Sequence, residues 1–144
     1  MAIETSVQPQ RFQVRVPLLK EGRVHNVVAE AGPMSVAMKC YAEGGENALH
    51  THLDEPHTFV ILQGQARFWG PDGETGVLGR NEGILIPAGW FYRFESCADE
   101  PLVMLRVGYG DGSLRVAPDG HPLPSDSVEN GHVPGVPIPG AFYE

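Results

Sequence analysis

Cysteine is scarce in this chain. Only Cys40 and Cys97 occur among 144 residues. They form neither a C-x-x-C pair nor a zinc-finger spacing, so no disulfide framework or thiolate-held metal organises the molecule. Two free and mostly buried thiols are the expectation. Basic residues are also few, ten Lys and Arg against 18 Asp and Glu, for a net charge of -8. A chain of that sign repels phosphate backbones and anionic lipid, which argues against nucleic acid and membrane as partners. No apolar run approaches the ~20 residues that cross a bilayer. Met1 to Thr5 lacks the basic start and apolar stretch of a secretory leader, so the cytoplasm is the expected compartment. No segment sustains a 3.6-residue period, and no G-x-S-x-G, P-loop or dinucleotide fingerprint occurs.

Glycine and proline are plentiful. Together, 18 Gly and 13 Pro make up about a fifth of the chain. Such a composition suits many short strands joined by turns, and the expected class is all-β, a sandwich or barrel of nine or ten strands in one domain. Strands are read at 12–16, 24–31, 34–41, 48–53, 57–69 with a break near Gly64, 75–78, 83–86, 90–96 and 102–109. Three regions follow: N-terminal strands over 1–33 at a sheet or dimer edge, a barrel core over 34–109, and a Pro/Gly-rich segment over 110–144. The last is expected to lie extended along the barrel or a partner chain, since proline-rich chain fits a sheet edge.

Three of the six histidines fall within eight residues, as His50, His52 and His57. On a strand, His50 and His52 share a face. Asp54-Glu55-Pro56 breaks the strand, because proline cannot continue a ladder. If the next strand turns back, His57 can face the first pair. Neutral imidazole is the commonest metal ligand, so the three form a candidate metal set. The alternative is a cluster of polar residues at a loop.

These residues carry a resemblance. Gly44, His50-x-His52, His57 and Gly64 resemble the first motif of the cupin superfamily, with His57 where the family has glutamate. Pro87-x-Gly89 and Tyr92 resemble the second motif, with Tyr92 where the family usually has histidine and Asn81 where it usually has glycine. The resemblance covers roughly residues 34–109. It implies a double-stranded β-helix, or jelly-roll barrel, often a homodimer. It also implies a divalent transition metal, here on His50, His52 and His57, with Fe(II) favoured over Zn, Ni and Mn for a three-imidazole set. Tyr92 could ligate as phenolate, stand back from the metal as the catalytic hydrogen-bond donor or acid/base, or be purely structural; the second is preferred, since a phenol starts protonated. Loss of the metal is the remaining possibility.

Strand parity points Met38, Cys40, Phe59, Ile61, Gln63 and Phe94 inward, which gives a substrate pocket that is mainly apolar and aromatic. Such a pocket suits a small aromatic or dicarbonyl substrate better than a sugar or phosphate. Arg106 is expected to pair with an acidic residue across the sheet, Arg93 to face outward, and His25, His121 and His132 to lie at the surface. The expected function is a metal-dependent enzyme, first a non-haem iron dioxygenase. The alternatives are a zinc cyclase, isomerase or lyase, and a non-catalytic small-molecule-binding protein.

Overall fold

The computed structural model describes residues 8–43, 45, 47–110, 112, 114–123 and 134–144. Gly44, His132 and the first seven residues lie outside them. Among the described residues twelve strands run in order: β1 (Val16–Glu21), β2 (Arg23–Ala31), β3 (Met34–Tyr41), β4 (Thr51–His52), β5 (His57–Gln63), β6 (Ala66–Gly70), β7 (Gly73–Leu78), β8 (Gly83–Ile86), β9 (Arg93–Ser96), β10 (Leu102–Tyr109), β11 (Arg115–Val116) and β12 (Val136–Tyr143). The class is all-β, as the turn-rich composition requires. Among the described residues no helix is long and apolar enough to cross a membrane.

The main wall is a five-stranded antiparallel sheet in the order β2-β3-β10-β5-β8. A three-stranded sheet, β7-β6-β9, forms the other wall, and β11 pairs with the short β4. This is the jelly-roll arrangement of a double-stranded β-helix. Gly64 turns β5 into β6 at φ 78°, and a Cβ there would lie 3.0 Å from the Pro101 carbonyl oxygen. Only glycine fits such a turn without strain. Asn81 replaces glycine at a second turn and takes φ 69° itself. Asparagine tolerates that left-handed conformation better than other side chains do.

Two apolar clusters hold the walls. The inner one joins Tyr41, Phe59, Ile61, Phe68, Phe94 and Met104 between the two sheets. Each large side chain buried there stabilises the fold by roughly 1.5–3 kcal/mol. The second cluster, Val16, Leu19, Met38, Cys40 and Val103, lies on the back of the large sheet, where β1 covers it. The strand expected at 12–16 is shifted: residues 12–15 are outside any strand, and β1 begins at Val16. Its partner is β12, antiparallel, so the end of the Pro/Gly-rich region lies extended at an edge. Pro137 and Pro139 fit there, because an edge strand needs only half its N–H groups.

This cover reverses one sequence-based assignment. Met38 and Cys40 are not on the cavity side of β3; they are fully buried in the outer cluster. Lys39 and Tyr41, on the opposite face, point inward. The more apolar face of β3 was expected to face the barrel, but β1 makes the outside equally dry. Burial accordingly pushes the Cys40 thiol up to about 11.

Candidate functional site

Register across the large sheet fixes which residues meet inside. His25 on β2 is opposite Lys39 on β3, which is opposite Met104 on β10. One step along, Ala37 is opposite Arg106, which is opposite Phe59 on β5. One further step puts Gly108 opposite His57, and His57 opposite Ile86. The inner face therefore carries Lys39, Arg106 and His57 in successive rows towards one end of the barrel. At that end lies a cavity of about 690 Å³, lined by His50, His52, Tyr92, Lys39, Arg106 and Arg115 among others.

The histidines come together from three local structures. His50 makes a single antiparallel bridge to Tyr92, with both backbone N–H groups donating to the other's carbonyl (3.0 and 2.9 Å). His52 stands on β4 and His57 opens β5. The expected strand over 48–53 is cut to two residues, yet the bridge keeps His50 in place. Ring centroids are 5.2 Å apart for His50 and His52, 4.8 Å for His52 and His57, and 4.6 Å for His50 and Tyr92. Phe94 also lines the cavity, whereas Phe59 and Ile61 sit in the apolar layer beneath it. Gln63 is elsewhere: its Nε2 donates to the Pro101 carbonyl at 3.1 Å and ties down the end of β5. The inner lining of the cavity is thus charged rather than mainly aromatic. Aromatic packing serves as its floor.

Two partners of the histidines lay hidden in the sequence. Glu55 appears there only as part of a strand breaker. In the fold its carboxylate is 4% exposed, accepts a short hydrogen bond from Arg106 Nη2, and lies 3.8 Å from Nδ1 of both His52 and His57. The expected acidic partner of Arg106 is therefore Glu55, reached from a loop. Gly108 makes room for the pair, since a Cβ there would come within 2.8 Å of Glu55 Oε2. Arg115 is the second. It comes from the Pro/Gly-rich region and sits opposite His52 in the β4–β11 pair. Nothing in the composition of that region signals it. Arg93 faces away as expected, stacked 3.6 Å over the Trp69 ring. His25 and His121 are exposed, with His121 paired to Asp119.

Electrostatics keeps the imidazoles neutral. Burial first, then the arginine and lysine charges, lowers His50 to about 4 even though its Nδ1 bonds the Ala48 carbonyl at 2.7 Å. His52 and His57 are lowered further, by burial and then by neighbouring His and Arg106 charges. Tyr92 is pushed up by burial and stays a phenol. Its hydroxyl shares a 2.7 Å hydrogen bond with His57 Nε2. Arg106 Nη2, a donor only, lies 3.4 Å from His57 Nδ1 and favours the tautomer with the proton on Nε2.

The donor chemistry fits a transition-metal cation. The imidazoles are neutral, as ligation requires. His50 donates from Nδ1 to a backbone carbonyl, the usual way a ligating histidine is oriented. His52 Nδ1 is buried with no hydrogen-bond partner. His57 differs, because Tyr92 occupies its Nε2. Among the described residues no three His, Cys, Asp or Glu side chains are arranged to hold a cation. A full set of three imidazoles therefore requires the His57–Tyr92 bond to open and the proton of His57 to move to Nδ1, beside Glu55.

A two-walled jelly roll with inward histidines at one end defines a double-stranded β-helix protein. Residues 37–108, half of the chain, match the Cupin domain family. The chain belongs to that family. The uncharacterized protein YdbB of Bacillus subtilis (strain 168) is 31% identical over 78 residues, covering 54% of this chain and 67% of YdbB. A protein with a double-stranded β-helix domain from Klebsiella pneumoniae superposes with a TM-score of 0.66 at 18% identity, over 81% of this chain and 97% of that one. The cupin domain of Cnp3 from Schizosaccharomyces pombe does so at 0.58 and 15% identity, over 67% and 69%. At these identities the solved structures speak for the fold alone.

Proposed function

We propose that the chain is a metal-dependent cupin enzyme acting on a small molecule in this cavity. His50, His52 and His57 hold a divalent transition metal, with Fe(II) ahead of Zn, Ni and Mn. The observation that carries this reading is the meeting of His50, His52 and Tyr92 in the cavity lining with His57, which packs against His52 and is hydrogen-bonded to Tyr92. Bound Fe(II) would supply redox and Lewis-acid chemistry for a dioxygenase acting on a small dicarbonyl or aromatic compound, whereas zinc would supply Lewis acidity alone for a cyclase, isomerase or lyase. The protein's own part is to orient and to move protons. Tyr92, kept protonated by burial, can donate to a substrate oxygen once released from His57. Glu55 and Arg106 control which nitrogen of His57 carries its proton. A homodimer in the cytoplasm completes the proposal.

A second reading is favoured by the closed His57–Tyr92 bond: a non-catalytic cupin that binds a small molecule without metal. Metal analysis of the whole protein, produced with iron, zinc, nickel and manganese all supplied, separates the two. About one metal per chain, largely lost in His57→Ala, is expected for the enzyme. Oxygen uptake with dicarbonyl and catechol-like compounds then separates iron from zinc chemistry. Absence of metal from the wild type leaves only the binding protein.

A further inference from the structure

The cavity concentrates positive charge in a chain that is otherwise acidic. Four of the ten Lys and Arg residues, namely Arg23, Lys39, Arg106 and Arg115, line it. Among the described residues the lining carries two carboxylates, Glu30 and Glu55. Glu55 is already committed to Arg106, and Glu30 is at the exposed edge strand β2. Lys39 and Arg115 face no carboxylate of the described lining at ion-pair distance.

Two of these cations are short of partners in a way that matters physically. Lys39, one of only two lysines in the chain, points its ammonium over the rings of Tyr41 and Phe59, 5.4 and 5.8 Å from their centroids. No carboxylate among the described residues is within ion-pair distance of it. Arg115 stands beside His52, and its Nε is buried with no hydrogen-bond partner among the described residues. A buried donor without an acceptor costs stability, and like charges gathered in a partly dry cavity raise one another's energy. Burial and the Arg106, Arg23 and Arg115 charges indeed push the Lys39 ammonium down from its ordinary value. An anion placed between Lys39 and Arg115 would relieve both costs. The low-dielectric walls would also focus the field on an approaching anion.

We propose that the ligand of this cavity carries a carboxylate or phosphate group, held by Lys39 and Arg115 beside the histidines. This rests on the reading of the cavity as a small-molecule site and names the charge its ligand must bear. It also overturns the aromatic character expected from strand parity. The cavity rests on apolar packing, but Lys39, Arg106 and Arg115 line it.

Titration calorimetry on the full chain tests this, with malonate and inorganic phosphate as anionic probes and acetylacetone as a neutral dicarbonyl. Metal content is measured on the same samples. Malonate or phosphate is expected to bind the wild type and to weaken at least tenfold in Lys39→Met and in Arg115→Gln, with metal content unchanged. Preference for malonate over phosphate, or the reverse, identifies the group. Lys39→Arg and Arg115→Lys should retain binding. Raising NaCl from about 20 to 300 mM should weaken anion binding to the wild type several-fold and leave acetylacetone unaffected, a readout that needs no variant to fold. Equal binding by wild type and both charge-removing variants, or no salt effect, overturns the proposal. So does failure of both anions to bind. A wild type that holds no metal but binds anions with this pattern removes the metalloenzyme and keeps the anion site.

Discussion

The hydroxyl of Tyr92 lies 2.7 Å from Nε2 of His57, so the residue standing where the family usually has histidine is bonded to the one standing where it has glutamate. The two departures from the family pattern are one interaction. Each makes chemical sense beside the other, since a phenol and an imidazole form a buried pair without charge.

Tyr92→Phe removes that bond and leaves His57 Nε2 without its partner. In the metal-free protein this should cost about 1–3 kcal/mol, seen as a lower urea midpoint. Metal content should be unchanged and turnover lost. A drop in bound metal would instead make Tyr92 a ligand.

The buried Glu55–Arg106 pair should be intolerant of losing one member. Arg106→Leu strands a carboxylate that is 4% exposed, at an expected cost of about 3–5 kcal/mol. Gly108→Ala leaves both charges but puts a methyl 2.9 Å from Arg106 Nη1, so a smaller loss of about 1–3 kcal/mol is expected. Chemical denaturation of both variants checks the order. Equal, small effects would mean that the pair contributes little.

Stability of the metal-free protein should fall with acidification. Unfolded histidine titrates near 6.5, while folded His50 is held at about 4 and His52 and His57 lower. As pH falls between those values the unfolded chain takes up protons that the folded chain does not, so unfolding is favoured progressively. Full stability is expected above pH 6.5, and His50 alone should remove on the order of 1–3 kcal/mol by pH 4. Urea melts at pH 7.5, 6, 5 and 4 measure this. The slope should shrink in His50→Asn; an unchanged slope there would assign the acid sensitivity to other groups.

Much of the fold is legible in the chain itself. Alternation marks β3, β5 and β10, and Gly-Pro turns separate them, because side-chain period and turn chemistry are local properties. The H-x-H spacing and His57 likewise mark the site before any folding is known. Three features are not local. Glu55 reads as a loop residue, because only the β5–β10 pairing brings Arg106 and the space at Gly108 against it. The inward face of β3 cannot be read from its residues, because β1 and β12, from opposite ends of the chain, bury its outer side. Arg115 reaches His52 only through the short β4–β11 pair. The sequence alone determined the strand pattern, the family and the histidines. Tertiary structure decided which charges surround them, since a cavity's electrostatics depends on contacts between residues distant in the chain.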